Sequence, residues 1–327
     1  MKFAGLAAVF IVWASSALAE QAIGFASIDV ADQGSHRPLT ISLWYPAIDG
    51  IQETIGGNGV FQGVAAAPDA TPIDKKVPLV LLSHGGLRSA ADSGAWLTSE
   101  MARAGYLVIE INGPRPLSPA EAVDEIWRRP SDISRALDVV MMDDIWSDRI
   151  DQDRISVVGY ALGGTAGLAL AGGEYELQAF IDSCSGARSG PDCGWYKSQN
   201  VNLAAVDHEE LTAAKRDPRI GSAIAIEPEY LSVFADRLSS VDVPTLVISL
   251  GDVADTRYFD TDSVVGVSIN GSTTSDGFQL CTAKGAAILA EDGGDPALCG
   301  QSAEARQHTH QAVTEEIVKF LAGVQGQ

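Results

Sequence analysis

Basic residues are scarce in this 327-residue sequence, which has 22 lysines and arginines against 43 aspartates and glutamates. The formal net charge of −21 would repel the phosphate backbone of DNA or RNA, so we expect no nucleic acid partner. Long apolar runs are also missing after the N-terminus, where no stretch reaches the roughly 18 residues needed to cross a bilayer. The sequence therefore predicts no integral membrane span.

Metal-binding patterns are absent as well. The five histidines do not have the spacing of a helical metal site, and no two cysteines form a C-x-x-C motif. We therefore expect no metal ion and no cofactor. With 20% charged and 46% apolar residues the chain is not disordered, and its 33 glycines lack the three-residue period of collagen.

The first nineteen residues have the order of a secretory signal peptide. Lys2 is followed by an apolar stretch over residues 4–13 and by the small-x-small sequence at residues 17–19. This order predicts cleavage before Glu20 and export to the periplasm or the medium. The alternative is a buried N-terminal helix. Residues 20–327 are expected to form a single domain.

All four cysteines lie after the predicted cleavage site. An even number of cysteines in an exported chain favours two disulfides. Local pairing is the simplest of the three possible connectivities and predicts the bonds Cys184–Cys193 and Cys281–Cys299. A zinc site is the competing interpretation, which no neighbouring histidine supports.

Strand and helix patterns alternate along the chain. Residues 39–45 alternate at period two, and buried strands are predicted at 78–83, 106–111, 155–158, 222–226, 244–249 and 264–269. Helices are predicted at 92–104, at 131–145 with Ser131 as N-cap after Pro130, and at 304–322, whereas residues 47–76 resemble a long loop. This alternation predicts an α/β fold, a doubly wound and mostly parallel sheet flanked by helices, with loop insertions joined by disulfides.

A strand–turn–helix pattern at residues 155–170 contains the candidate site. Gly159 and Gly163 flank Ala161 with the spacing of a G-x-S-x-G nucleophile elbow, in which a serine projects from a sharp turn. Alanine has no atom that could attack a carbonyl, so serine-triad chemistry is not possible with this sequence. A plain tight turn or a phosphate loop is the alternative, although the spacing of phosphate-binding motifs does not match.

Several stretches resemble the predicted dienelactone hydrolases, which are relatives of the platelet-activating-factor acetylhydrolases within the α/β-hydrolase superfamily. The similarity extends over residues 22–322. It is carried by residues 43–46 (LWYP), 83–86 (SHGG), 127–132 (WRRPSD), 149–164, 217–220 (DPRI), 281–289 and the last helix. The resemblance implies an α/β-hydrolase fold and hydrolysis of esters or lactones by a Ser-His-Asp triad.

Two triad positions depart from the resembled family. Ala161 stands at the serine position, and Thr274 stands at the histidine position seven residues before Cys281. The acid is expected after the strand at 244–249, at Asp252 or Asp255. The resemblance also implies an oxyanion loop and pocket formed by His84, Gly85, Gly86, Tyr160 and Leu162.

These departures favour a non-catalytic pseudo-hydrolase that binds a small ester-, lactone- or lipid-like ligand, or a protein partner that the sequence does not identify. The alternative is a carboxylic-ester or lactone hydrolase captured as a Ser-to-Ala variant at 161, which would not explain Thr274. A third hypothesis is an enzyme with different machinery based on Tyr160, Ser183 or Asp255, for which no general base is visible.

Overall fold

The computed structural model describes residues 22–31, 37–87, 89–185, 191–235, 237–251 and 261–325. Its strands are β1 (Ala22–Val30), β2 (Leu39–Ala47), β3 (Glu53–Ile55), β4 (Val64–Pro68), β5 (Val77–Ser83), β6 (Leu107–Asn112), β7 (Ile150–Tyr160), β8 (Ser222–Ile226), β9 (Thr245–Leu250) and β10 (Val264–Ile269). Its α-helices are α1 (Ala95–Arg103), α2 (Glu125–Met142), α3 (Leu162–Leu170), α4 (Leu177–Asp182), α5 (Pro191–Ser198), α6 (His208–Thr212), α7 (Gly285–Glu291) and α8 (Ala303–Gln325). The predicted signal peptide lies outside the described residues.

The strands form a mixed and mostly parallel sheet in the order β10-β9-β8-β7-β5-β6-β2-β1-β4-β3. Strands β6, β5, β7, β8, β9 and β10 pair in parallel, whereas β2 is antiparallel to both β6 and β1. All of the predicted strands are present. The predicted loop at residues 47–76 is wrong in part, because β3 and β4 lie within it and extend the sheet beyond β1.

Apolar side chains cover both faces of the central strands. In β5, Leu79 and Leu81 pack into one core with α2 and α3, while Val80 and Leu82 pack into a second core with α1 and α8. Such burial on both faces explains the continuous apolar runs of these strands. Among the described residues no helix is long and apolar enough to cross a membrane.

Helix α2 begins before Pro130, not after it as the sequence pattern predicts. Proline removes the N–H that would bond to the carbonyl four residues earlier, here that of Ile126. The hydroxyl of Tyr175 donates to this Ile126 oxygen at 3.3 Å and supplies a substitute partner. The helix therefore continues through Pro130, and Arg129 lies in its second turn.

The two predicted disulfides are confirmed. Cys184 and Cys193 have their Cα atoms 5.2 Å apart, and Cys281 and Cys299 have theirs 5.5 Å apart. The first bond fixes the start of α5 to the short 3₁₀ helix that follows α4, and the second closes the segment that contains α7. The first bond thus lies in the segment between β7 and β8, and the second lies in the segment between β10 and α8.

Three aromatic rings hold the loop that follows β10. Nε2 of His84 and Nε1 of Trp96 lie 2.9 and 3.0 Å from the carbonyl oxygen of Gly277. Nε2 of His310 lies 3.0 Å from the oxygen of Asp276 and 2.9 Å from that of Phe278, and its ring stacks on Trp96 at 3.8 Å between centroids. Because carbonyl oxygens accept hydrogen bonds and cannot donate them, each histidine carries its proton on Nε2, and its Nδ1 is unprotonated.

Burial lowers the pKa of His84 and of His310 to about 4, and nearby positive charge, on Arg306 in the case of His310, adds to this effect. A folded-state pKa below the unfolded value means that the unfolded chain binds more protons between about pH 4 and 6.5. The contribution of the two histidine rings to the free energy of unfolding is therefore complete above about pH 6.5 and is lost as the pH falls towards 4.

We predict that His310→Gln flattens this pH dependence, because the amide can still donate to the loop carbonyls but does not titrate. Between pH 7 and 4.5 the parent should lose about 2 kcal/mol more free energy of unfolding than the variant. Urea unfolding followed by circular dichroism measures the difference. His308→Gln, on the exposed side of the same helix, is the matched control. Equal pH dependence in the parent and His310→Gln would contradict the prediction.

Candidate active site

The turn between β7 and α3 has the backbone of a nucleophile elbow. Ala161 connects the two elements and has φ 54° and ψ −123°, a backbone conformation that residues other than glycine rarely adopt. Such a residue costs on the order of 1–3 kcal/mol and requires support from the surrounding structure. The predicted elbow is therefore present in geometry, with a methyl group where a nucleophile would stand.

Two glycines permit this turn. A Cβ placed on Gly159 would lie 2.0 Å from the carbonyl oxygen of Gly163, and one placed on Gly163 would lie 1.9 Å from that of Ser83. Both distances are far below contact, so any side chain would force the turn apart. The spacing Gly159–Ala161–Gly163 thus reflects a steric requirement of the fold.

The loop after β5 lies beside the elbow. The N–H of Gly85, which has φ 84°, donates to the carbonyl oxygen of Tyr160 at 3.1 Å and joins the loop to the last residue of β7. Leu162 is the first residue of α3, so its N–H is among those that have no acceptor within the helix. His84 is buried, with its ring 4.8 Å from that of Tyr160.

Thr274 lies in the loop after β10 and contacts an acidic residue. Its hydroxyl donates to Oε1 of Glu227 at 3.2 Å, while the hydroxyl of Tyr160 donates to its carbonyl oxygen at 2.5 Å. Oε2 of Glu227 accepts from the N–H of Leu250 at 2.6 Å. The residue at the expected histidine position thus faces a carboxylate that strands β8 and β9 hold in place.

Sequence reasoning did not single out Glu227. It directly follows β8, whose last residue Ile226 is paired with Tyr160 and accepts the N–H of Ala161 at 3.0 Å. The carboxyl ends of adjacent parallel strands lie at one sheet edge, and a carboxylate directly after an apolar strand was the available signal. Asp252 and Asp255, the acids named from the sequence, lie outside the described residues.

The other nucleophile candidates make local hydrogen bonds. Ser183 donates to the carbonyl oxygen of Phe180 at 2.6 Å, and Tyr160 donates to Thr274 as described. Burial, followed by the charges of Glu229 and Glu227, raises the pKa of Tyr160 well above its ordinary value, so this phenol holds its proton. Within the described ranges no cluster of three or more histidine, cysteine or acidic side chains could hold a metal ion.

The turn at Ala161 and the loop that carries Thr274 offer no nucleophile and no general base for acyl transfer at position 161. A methyl group cannot attack, and the hydroxyl of Thr274 cannot accept a proton near neutral pH as an imidazole can. The carboxylate of Glu227 accepts a hydrogen bond from the hydroxyl of Thr274, where no imidazole is present. Covalent catalysis at position 161 is therefore chemically impossible in this chain.

We predict opposite effects for one substitution at two glycines of α3. Gly163→Ala should cost at least about 3 kcal/mol of unfolding free energy, because its methyl would overlap the backbone of Ser83. Gly167→Ala should add about 0.5–1 kcal/mol, because its methyl would lie 3.6 Å from Val157 and alanine favours the helix. Guanidinium unfolding measures both. A Gly163→Ala variant as stable as the parent would contradict the close approach.

Comparisons with known proteins give a structural match. No protein-family model and no curated protein matches the sequence. Among solved structures, a ferulic acid esterase from Streptomyces cinnamoneus superposes with a TM-score of 0.55 over 96% of this chain and 93% of that chain, at 14% sequence identity. At this identity the likeness is evidence of fold alone. The chain has the α/β-hydrolase fold, a mostly parallel sheet flanked by helices with two disulfides.

Proposed function

We propose that this protein is an exported pseudo-hydrolase, similar to dienelactone hydrolases and platelet-activating-factor acetylhydrolases, that binds a ligand without hydrolysing it. The observation that carries the proposal is the strained elbow around Ala161. Its geometry is that of a nucleophile position, and its side chain has no nucleophile. The loss of chemistry is therefore local, and the surrounding fold is intact.

The position of Thr274 supports loss of function over capture of an inactive variant. A substitution made to trap a substrate replaces the nucleophile and leaves the base. The resemblance puts Thr274 at the histidine position, and the hydrogen bond from its hydroxyl to Glu227 is in keeping with that assignment. Two departures at separate points of the chain favour a protein that functions without the triad.

The class of ligand follows from the fold and the site. The structural neighbour is an esterase by name, and the present chain has a strained turn at Ala161 beside the loop after β5. Small esters, lactones and acyl lipids are the ligands expected for such a site, and a protein partner is the other candidate. The two disulfides are consistent with export, because such bonds persist in oxidising compartments.

We predict that the parent chain does not hydrolyse p-nitrophenyl acetate or butyrate above the buffer rate. Removal of a triad nucleophile lowers turnover on the order of a millionfold. Ala161→Ser should also be inactive, because Thr274 stands where the histidine base is expected and its hydroxyl cannot accept the serine proton near neutral pH. Turnover by the parent would contradict the proposal, whereas strong activity of Ala161→Ser alone would identify a captured hydrolase.

Binding is tested separately by thermal unfolding with dihydrocoumarin, γ-butyrolactone and short-chain phosphatidylcholine. A saturable rise in the midpoint with one of these probes, reduced by Ala161→Leu, would support the ligand class. Ala166→Leu, on the buried side of α3, serves as a control for general effects of enlarging this region. The absence of any shift would exclude esters and lactones as ligands and leave a protein partner as the remaining role.

A further inference from the structure

Arg129 orients the loop after β5. Its Nη1 donates to the carbonyl oxygen of Gly85 at 3.1 Å and its Nη2 to that of Gly86 at 2.8 Å. In a trans peptide the carbonyl of one residue and the N–H of the next point in opposite directions. The N–H groups of Gly86 and Leu87 therefore point away from Arg129. These are the groups from which an oxyanion site in this loop would be built.

The carboxylate of Asp192 lies on that opposite side. Its Oδ2 accepts the N–H of Leu87 at 3.2 Å. A Cβ placed on Gly86 would lie 2.9 and 3.1 Å from its two oxygens, so the carboxylate is in contact with the backbone of Gly86 too. An anionic group of this protein thus already occupies the space beside the N–H groups of the loop.

Several contacts fix Asp192 in this position. Cys193, the next residue, is bonded to Cys184. The N–H of Asp192 donates to Oε1 of Glu229 at 3.4 Å, and the N–H of Glu229 donates in turn to the carbonyl oxygen of Ala161 at 3.2 Å. A covalent bond on one side and a path of hydrogen bonds back to the elbow on the other therefore hold the carboxylate.

The buried surroundings match one negative charge at this point. Glu229 is 6% exposed, and burial together with the neighbouring Asp192 raises its pKa well above the ordinary value. Arg129 supplies positive charge on the other side of the loop and is itself held by Glu125, whose Oε2 lies 3.6 Å from its Nε. The loop after β5 thus lies between the guanidinium of Arg129 on one side and the carboxylate of Asp192 on the other.

We infer that Asp192 is a built-in occupant of the oxyanion loop, which fills with the protein's own carboxylate the site where a small carboxylate or an ester carbonyl would otherwise bind. The inference rests on the proposed loss of function. After the alanine at 161 and the threonine at 274, it adds a third feature that opposes hydrolysis: the carboxylate of Asp192 occupies the oxyanion loop. A chain with the serine and histidine restored should then react more slowly than one in which Asp192 is also shortened.

The first test uses acetate as the probe. Asp192→Ala removes the carboxylate and should create a site for acetate, so that about 300 mM sodium acetate raises its thermal midpoint by about 3 °C over sodium chloride at equal ionic strength. The parent and Asp192→Asn, which retains the bulk of the side chain, should show no such shift. Asp182→Ala, at an exposed aspartate of α4, is the matched control. If Asp192→Ala does not fold, Asp192→Ser is the alternative variant with the same readout.

An equal acetate response in the parent and in the shortened variant, or no response in either, would overturn the inference. Neither result concerns turnover by the parent, so failure here remains distinct from failure of the proposed function.

The second test uses a fluorophosphonate probe on Ala161→Ser/Thr274→His with and without Asp192→Ala. In the labelling step the introduced serine oxygen bonds to phosphorus, fluoride leaves, and the serine proton passes to the introduced histidine. Intact-mass measurement should show labelling at least about tenfold faster when Asp192 is shortened, in line with the value of one oxyanion donor. Equal labelling rates in the two backgrounds would overturn the inference.

Discussion

The close approach of Gly163 to the end of β5 is the constraint on which the site depends. With no side chain at Gly163, the first turn of α3 lies directly against the carbonyl of Ser83. This contact fixes the helix to the central strands and forces the connecting residue into its unusual backbone conformation. The position of the elbow relative to the loop after β5 follows from it, as does the crossing of α3 over the sheet.

The elbow has its strained backbone conformation with an alanine at the turn. The strained turn at Ala161 is supported by the packing of β7, whose side chains enter both cores, and of α3, whose side chains enter the core shared with α2. The carboxylate of Glu227 is likewise held without an imidazole, because it accepts hydrogen bonds from the N–H of Leu250 and the hydroxyl of Thr274.

The parts of the structure that were predictable from the sequence are those determined by local chemistry. The apolar run of β7 followed by spaced glycines indicates the elbow, and cysteines at short separation indicate the two disulfides. Helix α2 was predicted to begin too late because the partner of the Ile126 carbonyl, Tyr175, is 49 residues away. Glu227 was missed for a related reason, since its importance depends on which strands are neighbours.

His310 illustrates the limit of single-helix reasoning. Within α8 it resembles a solvated position, yet its ring stacks on Trp96 and holds the loop that carries Thr274. The same holds for Asp192, which has no distinguishing pattern in its own segment. The role of Asp192 depends on the contact between α5 and the loop after β5. Long-range contacts of this kind determine the chemistry of the site more than any motif does.

The three rings that hold the loop after β10 also determine when the site can form. Their partners are separated by 193 residues for His84 and Gly277 and by 181 for Trp96 and Gly277, and the third ring belongs to the last helix. Contacts between such distant parts of a chain form slowly, because the intervening segments must first be brought together. The final conformation of the loop includes contacts with both α1, through Trp96, and α8, through His310. The site is thus assembled from distant parts of the chain, although its elbow belongs to the central strands.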